Sequence, residues 1–136
     1  MIMKSKYVLS VEQMKHLQEL VLDASDGSMC WCYALFYKNA KWELEIYEDV
    51  INQKRNSAFW EIIPTYTLQD ILDKLPCFID THVLTLQKLA NSGTCLYMEP
   101  YSRSILNLTE SKELINSAYE MLCWCIKNGY VEKEGK

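Results

Sequence analysis

Glycine is scarce in this chain and never clustered. Its four glycines (27, 93, 129 and 135) are isolated, so the sequence offers no glycine-rich loop to cradle a phosphate. Three prolines accompany them, and together these residues are too few for a flexible linker or a long disordered tail. Basic clusters are equally rare. The net charge is −4, and the one tight basic pair in mid-chain is Lys54-Arg55. Clustered Lys and Arg supply most non-specific affinity for nucleic acid, so nucleic acid is not an expected partner. No apolar run approaches the length needed to cross a bilayer, and the first residues lack the hydrophobic segment of a secretory leader. The expectation is a cytoplasmic protein with no membrane partner. In such reducing surroundings the six cysteines (30, 32, 77, 95, 123 and 125) stay thiols.

What is present suits one globular domain over 1–136. Hydrophobic residues make up 49% and charged residues 24%, enough for a core under a solvated surface. A chain of this length buries roughly two-thirds of its unfolded surface.

The strongest helical pattern lies near the C-terminus, in Glu110–Asn128. Leu114, Ile115, Ala118, Met121, Leu122, Cys125 and Ile126 share one arc at 100° per residue, with Lys112, Glu113, Asn116, Glu120 and Lys127 opposite. Thr109 or Ser111 supplies a cap, and Gly129 stops the helix. A second long helix starts at Ser10, which forms a capping box with Gln13. Met14, Leu17, Leu20, Val21 and Ala24 follow at helical spacing, and Ser25-Asp26-Gly27 ends it. A short helix, 68–75, starts at the Thr67 cap and is stopped by Pro76.

Strands fill the rest. Met29–Tyr37 is apolar or aromatic throughout, as in a strand covered on both faces. After a turn at Asn39-Ala40-Lys41, a half-buried strand alternates Trp42, Leu44 and Ile46 with Glu43, Glu45 and Tyr47. Glu48–Ser57 reads as a loop and Ala58–Ile63 as a strand ending at Pro64. Val83–Leu89 and Thr94–Tyr101 form a hairpin about Asn91-Ser92-Gly93, and Ser102–Leu108 fits either a short strand or a loop. The expected fold is α+β: a mainly antiparallel sheet with two long helices (about 11–25 and 110–128) packed on one face and a short helix (68–75) at an edge.

Chemistry-bearing patterns are few. Cys-Trp-Cys occurs at Cys30–Cys32 and again at Cys123–Cys125. Two such units could in principle hold zinc, but cysteines two apart on a helix diverge by about 200°, which disfavours a metal site. Cys77 lies five residues before His82, without the glycine loop that an oxyanion hole requires. His16 sits on the wet side of its helix, and Glu43 with Glu45 fits a solvated strand face. No catalytic, cofactor-binding or metal-binding residue is assigned. Aromatics are the surplus: nine Tyr, four Trp and three Phe exceed what one small core needs, and Tyr and Trp favour contact surfaces. Trp124 plots near the polar side of the last helix. Trp124, Trp31, Tyr47 and Trp60 are the candidate interface residues.

Two segments carry a resemblance. Pro64-Thr65-Tyr66-Thr67-Leu68-Gln69-Asp70-Ile71-Leu72-Asp73-Lys74-Leu75-Pro76 and Ala118-Tyr119-Glu120-Met121-Leu122-Cys123-Trp124-Cys125-Ile126-Lys127-Asn128-Gly129-Tyr130 resemble small uncharacterised proteins of gut bacteria and their phages. The likeness spans roughly residues 62–131. It implies a phage or mobile-element setting and brings no activity with it. The expectation is a non-catalytic protein-interaction module that meets an unidentified protein partner or a second copy of itself. An inhibitor of a host defence or regulatory protein is one form of it. The alternative is a small-molecule or nucleotide binder with a pocket between sheet and helices.

Overall fold

The computed structural model describes residues 7–20 and 22–131. Their order is α1 (Val11–Glu19), β1 (Met29–Ala34), β2 (Glu43–Ile46), α2 (Tyr47–Gln53), β3 (Trp60–Thr65), α3 (Leu68–Lys74), β4 (Phe78–Ile79), β5 (His82–Lys88), β6 (Gly93–Met98), β7 (Ile105–Ser111) and α4 (Leu114–Lys127). The fold is α+β, and every described strand pair is antiparallel. The strands divide into two sheets, β2-β1-β3 and β4-β5-β6-β7. In place of two long helices side by side on one sheet, α1 packs on β3 and α4 packs on β6 and β7. The two helices meet through Gln13 Nε2, which donates to Asn116 Oδ1 at 2.9 Å.

Local chemistry explains where the helices begin. Ser10 Oγ accepts from the Gln13 amide while the Gln13 side chain accepts from the Ser10 amide. Thr67 and Asp70 repeat this exchange at α3, and Asp70 also accepts from the Ser28 hydroxyl at 2.6 Å. One cap therefore also ties α3 to the segment entering β1. The first helix is shorter than its pattern suggests. The amide of Leu22 turns back to the Leu17 carbonyl, and the Asp23 carboxylate accepts from the Ser25 amide, a local bond that competes with helix. Leu22 and Ala24 are still buried, but as part of the exit loop. Val21 lies outside the described residues, as does most of the charged tail.

The core joins both sheets. Trp31 and Ile63 come from the first and Cys95 and Tyr97 from the second. Met14 and Leu17 of α1 pack with them, as do Ile115, Ala118, Met121, Leu122, Cys125 and Ile126 of α4. The arc read on the last helix is thus the buried one, with Leu114 partly exposed at its start. Each fully buried side chain of Leu or Ile size contributes about 2–3 kcal/mol. The buried tyrosines are satisfied: Tyr97 donates to the Pro76 carbonyl at 2.7 Å and Tyr66 to Asp26 at 2.8 Å.

Three segments differ from expectation. Thr109 and Ser111 do not cap α4; they belong to β7, and Glu113 stands at the cap position with no side-chain bond. The Thr109 hydroxyl donates instead to the Ser117 carbonyl at 2.6 Å, fastening strand to helix. Strand β3 runs through Pro64, which is tolerated because β3 is an edge. Tyr47–Gln53, read as the end of a strand and a loop, is a helix. Glu48 and Asp49 lie at the positive end of its dipole, and Val50 seals it onto Cys30 and Cys32.

Candidate interaction surface

Strand β1 separates two environments by alternation alone. Trp31 faces the main core, where its indole N–H donates to the Leu9 carbonyl at 2.8 Å. Cys30 and Cys32 face the other way, into a small second core with Val50, against which Tyr47, Trp60 and Ile62 pack. This face is the one that α2 covers, and Glu45 shares it because it pairs with Cys30. The expected burial of β2 is therefore inverted: Leu44 and Ile46 are exposed, and Glu45 is the half-buried residue.

Glu45 is held by Arg55, whose guanidinium donates twice to the carboxylate, at 2.7 and 2.8 Å. Arg55 Nε donates to Gln53 at 2.8 Å, and the guanidinium lies 4.4 Å from the Trp60 ring centre. This two-point geometry fixes the arginine and holds its charge over the tryptophan ring. The hydrogen bonds from Arg55 hold the Glu45 carboxyl below its ordinary value. A depressed carboxylate stabilises the fold above its unfolded value, near pH 4.3, and that stability is lost as pH falls through the folded value. Glu45→Gln is expected to narrow the loss of melting temperature between pH 6 and pH 3. Equal acid sensitivity in both proteins would remove the pair from the stability account.

Beyond this pair, β1 and β3 end in an aromatic ridge. Their ladder continues past Ala34 and Trp60 through the Leu35 amide, which donates to the Phe59 carbonyl at 2.8 Å. Asn56 shapes the approach, its side chain accepting from the Ala58 amide and its carbonyl from the Phe59 and Trp60 amides. Phe36 is thereby set edge-on to Phe59 (6.2 Å) and to Trp60 (5.6 Å), with Tyr37 beside it at 4.9 Å. Phe36, Tyr37 and Phe59 are 54%, 66% and 52% exposed. An open groove of about 370 Å³ adjoins the ridge, lined by Tyr37 and the following loop, and another of about 260 Å³ is lined by α2, Arg55 and Ile62.

The candidate residues read from sequence are thus spread over the molecule. Trp31 is buried at 3% exposure and presents no contact surface. Tyr47 and Trp60 are half-buried on the second core, Trp60 beneath the ridge. Trp124 lies elsewhere, on α4, packed against the main core and under Tyr130 with ring centres 5.3 Å apart. It lines a surface groove with His16, Tyr119 and Cys123. His16 is half-buried and edge-on to Tyr119, rather than freely solvated. Phe36, Tyr37 and Phe59 were not singled out from sequence. The signal available was the run Leu35-Phe36-Tyr37, too long for a six-residue strand, so that its end had to leave the core.

The cysteines are buried except Cys77. Cys30 and Cys32 lie with their sulfurs 3.6 Å apart, and burial raises both thiols above their ordinary value. Burial likewise raises Cys123, and it pushes Cys125 up to about 11 and Cys95 to about 12. Protonated, shielded thiols are weak nucleophiles. The core side chains named above lie between the sheets and the helices. Comparison with protein-family models, with curated proteins and with solved structures finds no match to this chain.

Proposed function

We propose that the protein is a non-catalytic interaction module whose contact surface is the Phe36–Tyr37–Phe59 ridge, backed by Trp60 and Arg55. The single observation that carries this reading is the ridge itself: three adjoining aromatics more than half exposed, in the turns just beyond the paired ends of β1 and β3. Aromatic residues and Arg dominate the energetically important centres of protein interfaces. A ring held in place by its neighbours loses little entropy on binding. The partner is a host protein in a phage or mobile-element setting, and blocking a defence or regulatory protein is the form of action this surface suits. The setting rests on the resemblance of the short and final helices.

The test compares proteins retained from gut-bacterial lysate by the immobilised chain and by Phe36→Ser/Phe59→Ser. Both substitutions lie at the surface and leave the main core untouched. The reading predicts a specific set of retained proteins that falls at least tenfold in the double variant, because each lost anchor costs about 1–2 kcal/mol. Equal recovery on both would refute it.

A further inference from the structure

Cys30 and Cys32 lie two apart on the central strand of the first sheet, so alternation turns both side chains to one face. Strands pair with β1 on either side, Cys30 with Glu45 and Pro64 and Cys32 with Glu43 and Ile62, which fixes the backbone that carries them. Their sulfurs rest 3.6 Å apart, at 0% and 1% exposure. Cys123 and Cys125 repeat the sequence without the geometry, since residues two apart on a helix diverge by about 200°. Val50, Tyr47 and Ile62 pack with the sulfurs of the first pair, and the same three line the open groove beside α2. α2 is two turns long and buries Val50 alone, so little packing holds it over the thiols.

The spacing narrows the chemistry. Two sulfurs 3.6 Å apart close an angle of about 100° at an atom bonded to both at about 2.3 Å, the length of a metal–thiolate bond. A linear two-coordinate ion needs a far wider angle. Tetrahedral zinc needs further ligands, and among the described residues no group of three His, Cys, Asp or Glu side chains is placed to hold a metal ion. Glu45 on this face is taken up by Arg55. A disulfide is ill suited too, because Cα atoms two apart on a strand lie about 6.6–6.8 Å apart, the far end of the range a disulfide spans. Three-coordinate arsenic(III) is pyramidal and closes an angle of this size. Burial points the same way: these thiols stay protonated in an apolar core, which disfavours any product that leaves thiolate charge behind. Arsenite is the neutral As(OH)3 near pH 7, and its product with two thiols is neutral as well.

We propose that Cys30 and Cys32 form a binding site for trivalent arsenic, taken up as arsenite between their two sulfurs. The step is a condensation with no change of oxidation state. Two S–H and two As–O bonds break, two As–S bonds form, and each thiol proton leaves with one arsenic hydroxyl as water. The third hydroxyl stays on arsenic. The sulfurs are already held side by side, so little ordering is required of them on binding. This site does not depend on the aromatic ridge as a contact surface.

The full chain, reduced with a phosphine, is equilibrated with sodium arsenite, freed of excess and weighed by native mass spectrometry. One arsenic per folded chain is expected. Digestion with pepsin in acid should place it on the fragment that contains Cys30 and Cys32. Loaded in urea instead, the chain should take up two, one on each Cys-Trp-Cys unit, because only the fold distinguishes them. Cys32→Ala, with unchanged helix content, should retain none, and Cys77→Ser should retain one. If Cys32→Ala does not fold, the fragment that carries arsenic in the unsubstituted protein decides alone. No arsenic on the folded chain, arsenic on a fragment lacking Cys30 and Cys32, retention by folded Cys32→Ala, or the same uptake by folded and unfolded chains would each overturn the proposal.

Discussion

Gly93→Ala is expected to destabilise the protein by about 3 kcal/mol, the upper part of the range for forcing an extra carbon into a packed interior. Gly93 opens β6 where α4 begins, and a Cβ there would lie 2.7 Å from the Leu114 Cα, 2.9 Å from its Cβ and 3.0 Å from its amide nitrogen. Two of these atoms are helix backbone, so no side-chain rotation relieves the contact. The helix start would have to lift away. It is fastened at this point, because Ser117, fully buried, donates to the Gly93 carbonyl at 2.5 Å and accepts from Thr109 through its own carbonyl. Lifting α4 breaks those bonds and opens the core beneath Ile115 and Ala118. Gly129 gives the contrast. Its position has open space but a φ of +80°, so Gly129→Ala pays only for the left-handed backbone, about 1 kcal/mol. Urea unfolding of the three proteins measures the difference. Equal midpoints for Gly93→Ala and wild type would mean that α4 does not sit this close to β6.

Raising the pH from 9 to 12 is expected to unfold the protein. Burial pushes the Cys95 thiol up to about 12, against an ordinary value near 9. The sign follows directly. Below pH 9 both states hold the proton and the thiol does not discriminate between them. Above pH 9 the unfolded chain releases it while the folded chain does not, so stability falls by about 1.4 kcal/mol per pH unit until the folded value is reached. Cys95 alone accounts for about 4 kcal/mol over that window, a large share of the 5–15 kcal/mol typical of a domain. Cys125, pushed up to about 11, acts in the same direction, as do the raised Cys30, Cys32 and Cys123. Circular dichroism followed with pH should lose its helical signal in step with the gain of thiolate at the buried cysteines, read by pulsed alkylation. Thiolate appearing well before the helical signal falls would mean that the cysteines ionise inside the folded protein.

How much of this was legible in the sequence depends on the distance over which each feature is encoded. The α4 stripe, the capping boxes at Ser10 and Thr67, and the turn between β5 and β6 are local patterns, and each stands where its residues place it. The region after Ser102 was not decidable locally. Thr109 and Ser111 serve equally well as cap or strand residues, and pairing with Cys95 and Gly93 decides for the strand. Helix α2 was hidden because it turns few side chains inward: Val50 is buried and Tyr47 partly so, while Ile51 points to solvent. Its acidic first turn was the one local sign. The division into two sheets and the inverted burial of β2 depend on which strands pair over long range, and period-two alternation carries no such information. The aromatic surplus was visible as composition. Which rings were surplus became clear only once Trp31, Tyr66 and Tyr97 were seen in the core and Phe36 and Phe59 outside it.

The central claim is that the aromatic ridge is the surface by which this protein meets another. Site-specific photo-crosslinking tests it most directly, with a benzophenone amino acid placed at Phe36, at Phe59 and, as control, at Tyr101. Tyr101 is 98% exposed and has no ring contact among the described residues, so it reports encounters that exposure alone produces. In gut-bacterial lysate the account predicts one shared adduct of defined mass from Phe36 and Phe59 and none from Tyr101. Adducts of equal yield and spread from all three positions, or none from the ridge, would contradict it.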